Sequence, residues 1–243
     1  QRVRRRAVHR GARAPVTDAR PALPYADVRT SLRDGTVLLF RGTGLFSRLI
    51  QAKGRAPYSH AALLAWWGHR LMVVESREGA GVRAIPLSTV LEEGHDVEAW
   101  DVVGLSPLGD ERRAAVGEAI SWLSTRYGWR TILRIGLAAL LVPLAWVRPI
   151  GALRARWARP LRDRRGQPTS GLICSELVAR AWEAAGVPLV PNLPEWDDAT
   201  IEPGDLPRGG RLTLLGRFVP PWIRENDDVP TAADVAAAKR EGA

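Results

Sequence analysis

The groups in this sequence that could do covalent chemistry are one thiol, four imidazoles and a scatter of carboxylates. Cys174 is the lone cysteine, so no intramolecular disulfide can form, and the residue is either a packed apolar side chain or a reagent. It stands where a helical pattern starts. Leu177, Val178, Ala181 and Trp182 recur three and four apart, and Gly186 supplies a stop. A thiol at a helix N-terminus is shifted toward thiolate, and the free N–H groups of the first turn can stabilise the charge of a tetrahedral intermediate. Beside Leu172 and Ile173, the same thiol also reads as a small core residue.

A thiol nucleophile needs a base, and every histidine precedes it in the chain, so any pair must be made by folding across a long sequence gap. His60 follows Tyr58-Ser59 at the start of an apolar run, where a ring can project into a cleft at a sheet edge. Glu75 ends the next apolar run. If the two strands are neighbours, its carboxylate can accept the second ring N–H of His60 and fix the tautomer. A satisfied structural histidine and an exposed strand-end glutamate are the plain alternatives for the two. His69, in an expected turn, and His95, in the polar stretch Glu92 to Asp96, are rival bases, and His9 belongs to a basic arm. One cysteine and scattered histidines offer no zinc-ligand spacing, Gly42-Thr43-Gly44 comes with no phosphate-loop pattern, and no cofactor is expected.

The elements that must position these groups are legible as periods. Asp34-Gly35 reads as a turn into a buried strand, Thr36 to Phe40. A short helix over Leu45 to Gln51 would put Phe46, Leu49 and Ile50 on one face. Strands follow over Tyr58–Ala65, Leu71–Ser76, Gly81–Ile85 and Asp96–Val103, with a turn at Trp67 to Arg70. After Asp110 the period becomes helical, ending near Tyr127-Gly128. Pro188 to Asp205 reads as loop and Leu212 to Phe218 as a last strand, and no internal repeat is visible.

At 243 residues and 46% hydrophobic, the chain suits one sizeable domain and one active site. Its net charge of +9 favours encounter with polyanions. Residues 1–24 read as a basic, Pro-broken flexible arm that could touch a polyanion or an assembly partner, 25–224 as the catalytic domain, and 225–243 as a peripheral tail with a short helix from Ala232. Within the domain, the insert 131–160 holds an uncharged stretch, Ile135 to Val147, broken by Pro143 and flanked by arginines. It is too short for a confident span and suits a buried hairpin or a membrane-surface element. The numbering opens on Gln1 and the one methionine is Met72, so the chain reads as processed or partial. A cell-envelope, membrane-surface or virion-associated location is expected over free cytoplasm.

Taken in order, Asp34-Gly35, Ile50-Gln51, Tyr58-Ser59-His60, Val74-Glu75-Ser76, Tyr127-Gly128, Cys174-Ser175-Glu176-Leu177-Val178 and Ala185-Gly186-Val187 resemble the circularly permuted NlpC-type, or YiiX-like, papain-like cysteine peptidases and amidases. That family is related to lecithin retinol acyltransferase. The resemblance covers about Asp34 to Val187 and has the permuted order, histidine strand before cysteine helix. It implies an α+β fold with a small antiparallel sheet packed against the Cys174 helix, Cys174 as nucleophile, His60 as base, Glu75 as orienter, and Tyr58 near the site as a hydrogen-bond donor. Gly128 stands where family members often have Asp, and the apolar insert separates that tyrosine from the cysteine. The implied activity is cleavage of an amide or ester bond through a thioester, in a cell-wall peptide or an N-acyl or lipid compound. A non-catalytic structural or assembly component that retains the fold, for instance of a virus particle, and a membrane-surface lipid acyltransferase are the alternatives.

Overall fold

The computed structural model describes residues 20–128, 171–191 and 201–219. The arm up to residue 19, the insert at 131–160 and the tail at 225–243 lie outside the described residues.

The described elements run β1 (Ala22–Pro24), α1 (Tyr25–Val28), β2 (Val37–Phe40), α2 (Leu45–Gly54), β3 (His60–Trp67), β4 (Arg70–Arg77), β5 (Gly81–Pro86), α3 (Leu87–Glu92), β6 (Val97–Val102), α4 (Asp110–Ser121), α5 (Cys174–Ala184), α6 (Asp205–Arg208) and β7 (Leu212–Val219). The strands form one sheet in the order β1-β7-β6-β2-β3-β4-β5. Every neighbouring pair is antiparallel except β1 with β7. The α+β class is as expected, but the sheet is larger than the small antiparallel one anticipated, and it is mixed. The added parallel strand comes from the end of the supposed arm. Arg217 N–H donates to the Pro21 carbonyl at 2.8 Å, and Ala22 to Pro24 continue along the exposed edge of β7. Two residues between prolines, the second proline itself ending the strand, carry no strand signal of their own, so the pairing is made by the partner edge.

The strand patterns follow from burial on two faces. Val37, Leu39, Ala61, Leu63 and Val74 pack on one side with Leu177, Trp182 and Ala115 from α5 and α4. Leu38, Phe40, Ala62, Leu64 and Val73 pack on the other with Tyr25, Leu87, Leu91 and Phe218. A strand covered on both faces has no polar alternation to keep, which is why Val37–Phe40 is a continuous apolar run. The helix α3, in a stretch to which the sequence assigns no element, exists because Leu87, Val90 and Leu91 complete the second face.

Two expected elements end elsewhere. The helix after Asp110 stops at Ser121 rather than near Tyr127, since Ser124 takes φ 67° and the Ser124 N–H and Thr125 carbonyl both bond to the backbone of Val82. A helix carried onward could not make that edge contact. The helix α2 runs three residues past Gln51, and the three side chains expected on one face part company: Leu49 and Phe46 are exposed, at 68% and 37%, while Ile50 is half-buried.

The Asp34-Gly35 turn is built as the sequence suggests. Gly35 has φ 75°, and a Cβ there would run into the Trp182 ring, whose indole N–H donates to the Gly35 carbonyl at 3.2 Å. That contact ties the start of β2 to the cysteine helix.

Candidate active site

Cys174 is the first residue of α5, and three separate bonds fix where that helix begins. Ser76 Oγ, on β4, donates to the Leu172 carbonyl at 2.7 Å. Tyr127 and Leu172 form a parallel bridge, with Gly128 N–H donating to Leu172 O at 3.0 Å. Ser175 Oγ donates to the Ile201 carbonyl at 2.6 Å. The approach needs Gly171, at φ 87°, because a Cβ there would meet the Arg126 carbonyl. Glu176 folds back so that Oε2 accepts the Ile173 N–H at 3.5 Å, one half of a capping box. This satisfies one N-terminal donor, while the N–H of Ser175 lies near the Cys174 sulfur and favours its charged form.

His60 opens β3 and meets Cys174 across the sheet face. Its ring hydrogen-bonds the sulfur, while Nε2 bonds to Glu75 Oε2 at 2.6 Å. Strands β3 and β4 are neighbours in the sheet, as the orienter role requires. Glu75 is fully buried. Its other oxygen, Oε1, accepts from Arg83 Nε at 2.9 Å and from a terminal guanidine nitrogen at 2.7 Å. Arg83 sits on β5 directly across from Glu75 in the register.

The electrostatics reinforce one another. Burial raises the Glu75 carboxyl, but the hydrogen bond and charge of His60, then those of Arg83, outweigh it and bring the group down to about 2. Burial likewise pushes His60 down, yet the charge and hydrogen bond of Cys174, with Glu75 behind, lift it to about 10. For Cys174, burial acts upward and is overcome by the His60 charge and hydrogen bond, aided by the backbone N–H groups of Ala61 and Ser175, so the thiol lies below its ordinary value. The consistent protonation state is a thiolate beside an imidazolium, backed by a carboxylate.

The pair opens onto a cleft of about 340 Å³ lined by Phe40, Arg41, Leu45, Phe46, Ile50, Ser59, His95 and Tyr127, among others. The Phe40 ring stands between the two histidines, edge-on to His60 at 5.0 Å and to His95 at 6.0 Å. His95 therefore reaches the rim of the cleft, where it bonds to Glu93 at 2.9 Å and not to the sulfur. His69 sits in the β3–β4 turn with its carbonyl held by Arg29.

Tyr58 is placed differently from the hydrogen-bond donor of the expectation. Its hydroxyl donates to Glu98 Oε2 at 2.6 Å, in a buried group that also contains Arg41, at 2.9 Å from Glu98 Oε1, and Arg20. Burial first, then the Glu98 hydrogen bond and charge, push the phenol up to about 12, and it supports Arg41, whose guanidinium lies over its ring at 5.5 Å. The tyrosine that lines the cleft is Tyr127, its phenol raised by burial and then by the Cys174 and Glu78 charges. Sequence reasoning missed Arg83, Glu98 and the role of Tyr127. Arg83 alone left a trace, standing two residues into the strand that follows the Glu75 strand.

No protein-family model matches the chain, and no curated protein does. Among solved structures, the chain is similar to that of the metalloprotein YiiX from Escherichia coli O157:H7, DUF1105, at 15% identity and a TM-score of 0.51, over 76% of this chain and 97% of that one. This likeness concerns the fold, which is YiiX-like. The name describes that protein as a metalloprotein. Among the described residues of this chain, no three His, Cys, Asp or Glu side chains are grouped to hold a metal ion, and both ring nitrogens of His60 are already engaged. The described residues do not fit a metal centre.

Proposed function

We propose that this chain is a cysteine hydrolase of the permuted papain-like kind, cleaving an amide or ester bond through a thioester on Cys174. The observation that carries the reading is the continuous relay from the Cys174 sulfur through the His60 ring to the buried Glu75 carboxylate, itself clamped by Arg83. Three placements from α5, β3 and β4 must agree to make it, and packing of a lone apolar thiol would require none of them.

In the proposed cycle the Cys174 thiolate adds to the substrate carbonyl, and the His60 imidazolium gives its proton to the departing amine or alcohol as the C–N or C–O bond breaks. The neutral imidazole then takes a proton from water, whose oxygen attacks the thioester. The acid is released and the ion pair is restored. Glu75 keeps the ring oriented and favours its charged form without exchanging the proton itself. Cell-wall peptides and N-acyl or lipid compounds are the substrate classes that the reading admits.

An activated acyl ester such as a p-nitrophenyl ester tests this. Intact-mass measurement should find the acyl group on Cys174 during turnover. Glu75→Gln, which keeps the shape but removes the charge opposite His60 and Arg83, should slow acylation on the order of 10²-fold while leaving a residual rate. Acylation that proceeds equally fast in Glu75→Gln would remove Glu75 from the machinery.

A further inference from the structure

Half of the large apolar side chains that stand exposed among the described residues belong to one helix. These are Leu45 at 82%, Phe46 at 37% and Leu49 at 68%, whereas Trp67 ends β3 and Val103 and Leu108 lie in separate turns. The helix is α2, ten residues with the sequence LFSRLIQAKG and no acid. At helical spacing Leu45, Leu49 and Ala52 make one exposed stripe, with Arg48 beside it on one flank and Lys53 on the other, all of them on the solvent side. Ser47, Ile50 and Gln51 turn toward the protein, where Gln51 Nε2 donates to the Gly42 carbonyl at 2.8 Å. Exposed apolar contact on this scale on a well-anchored helix marks a surface that meets something.

Charge selects the occupant. Lys53 pairs with Glu202, but Arg48 is exposed and has no ion pair among the described residues, and Arg55 follows at the helix end in an exposed left-handed position. A leucine stripe edged by basic side chains, on a chain of net charge +9, complements an anionic bilayer, with leucines among the upper acyl carbons and cations at the phosphates. The acids near the cleft do not spoil the match: Asp96 is held by Arg217 at 2.7 Å, and Glu78 lies at the cleft wall rather than on α2.

Position supplies the second argument. Leu45 and Ile50 line the same cleft as Cys174 and His60, so the outer face of α2 is continuous with the cleft mouth. We propose that α2 docks the protein on an anionic phospholipid surface through Leu45, Leu49 and Arg48, presenting the cleft mouth to the membrane. Among the described residues no helix is long and apolar enough to cross a membrane, and this mode of attachment needs none.

The test is co-sedimentation of the full chain with phosphatidylcholine vesicles containing about one third phosphatidylglycerol. Wild type should bind, more weakly when phosphatidylglycerol is omitted or salt is raised. The double variant Leu45→Ser, Leu49→Ser should weaken partition about tenfold or more. Arg48→Glu should weaken it at low salt, and Leu108→Ser, an exposed leucine elsewhere, should change nothing. Partition is independent of thiol chemistry and should be the same in Cys174→Ala, so a failure of docking and a failure of the proposed hydrolysis are told apart. No vesicle binding by wild type, or undiminished binding by the double leucine variant, would overturn the proposal, the latter moving attachment to another segment such as 131–160. A wild-type dimer that the leucine variant converts to monomer without vesicles would overturn it in favour of a second copy of the chain.

Discussion

Cys174→Ala is expected to remove turnover of an activated acyl ester by about 10³-fold or more, with His60→Ala nearly as damaging. In the proposed cycle the sulfur accepts the acyl group, and the ring beside it carries the proton for the leaving group. Without His60 the buried thiol loses the charge and hydrogen bond that hold it below its ordinary value, so burial would raise it and the thiolate would disappear at neutral pH. His69→Ala should be neutral, because its ring lies in the β3–β4 turn away from the cleft. His95→Ala should have a small effect beside that of His60→Ala, since His95 lines the rim and bonds to Glu93. If His95→Ala were instead the inactive variant, the base would have to be reassigned.

Arg112→Ala should cost about 3 kcal/mol of stability, the lower end of what breaking a buried, hydrogen-bonded ion pair costs. Arg112 is 1% exposed and binds Asp101 through both terminal nitrogens, at 2.8 and 3.1 Å, while also donating to the Asp34 and Ser106 carbonyls at 3.0 Å. Its loss strands those acceptors and opens a cavity between α4, β6 and the turn that starts β2. Asp101 is partly exposed and can be rehydrated, which sets the lower figure. Urea unfolding should show the shift as a lower midpoint at an unchanged slope. A change under about 1 kcal/mol would mean that water replaces the guanidinium without loss.

Neither arginine of Arg112-Arg113 announces itself in the sequence. Both belong to a helix with charge on most faces, and only the docking of α4 on α5 and β3 decides that Arg112 is buried while Arg113 pairs with Asp110 in solvent. The same limit explains the other gaps. Tyr58 stands two residues from His60, a spacing that would put both on one face of a strand, but it precedes β3, and its bond to Glu98 holds the hydroxyl in a buried group apart from the cleft lining. Arg83 acts through a cross-strand register that the hairpin alone sets. The strand β1 exists only because β7 leaves an edge free for it. What was legible was local. The doubly buried run of β2, the Gly35 turn, and the helix beginning at Cys174 are each written in a few adjacent residues. His60 and Glu75 were legible together because neighbouring strands of a meander bring their ends side by side.

The central claim is that Cys174 rests as a thiolate paired with the His60 imidazolium, and the pH dependence of its alkylation measures this directly. The thiol is depressed, so the thiolate persists as pH falls and is lost only below the ordinary thiol range. His60 is raised, so its charge is present through neutrality and is lost as pH rises through about 10. Iodoacetamide should therefore modify Cys174 faster at neutral and mildly acidic pH than it does a free thiol, which titrates at about 8.5, and His60→Ala should lose that advantage. A wild-type rate that climbs through the ordinary thiol range and matches His60→Ala would contradict the account.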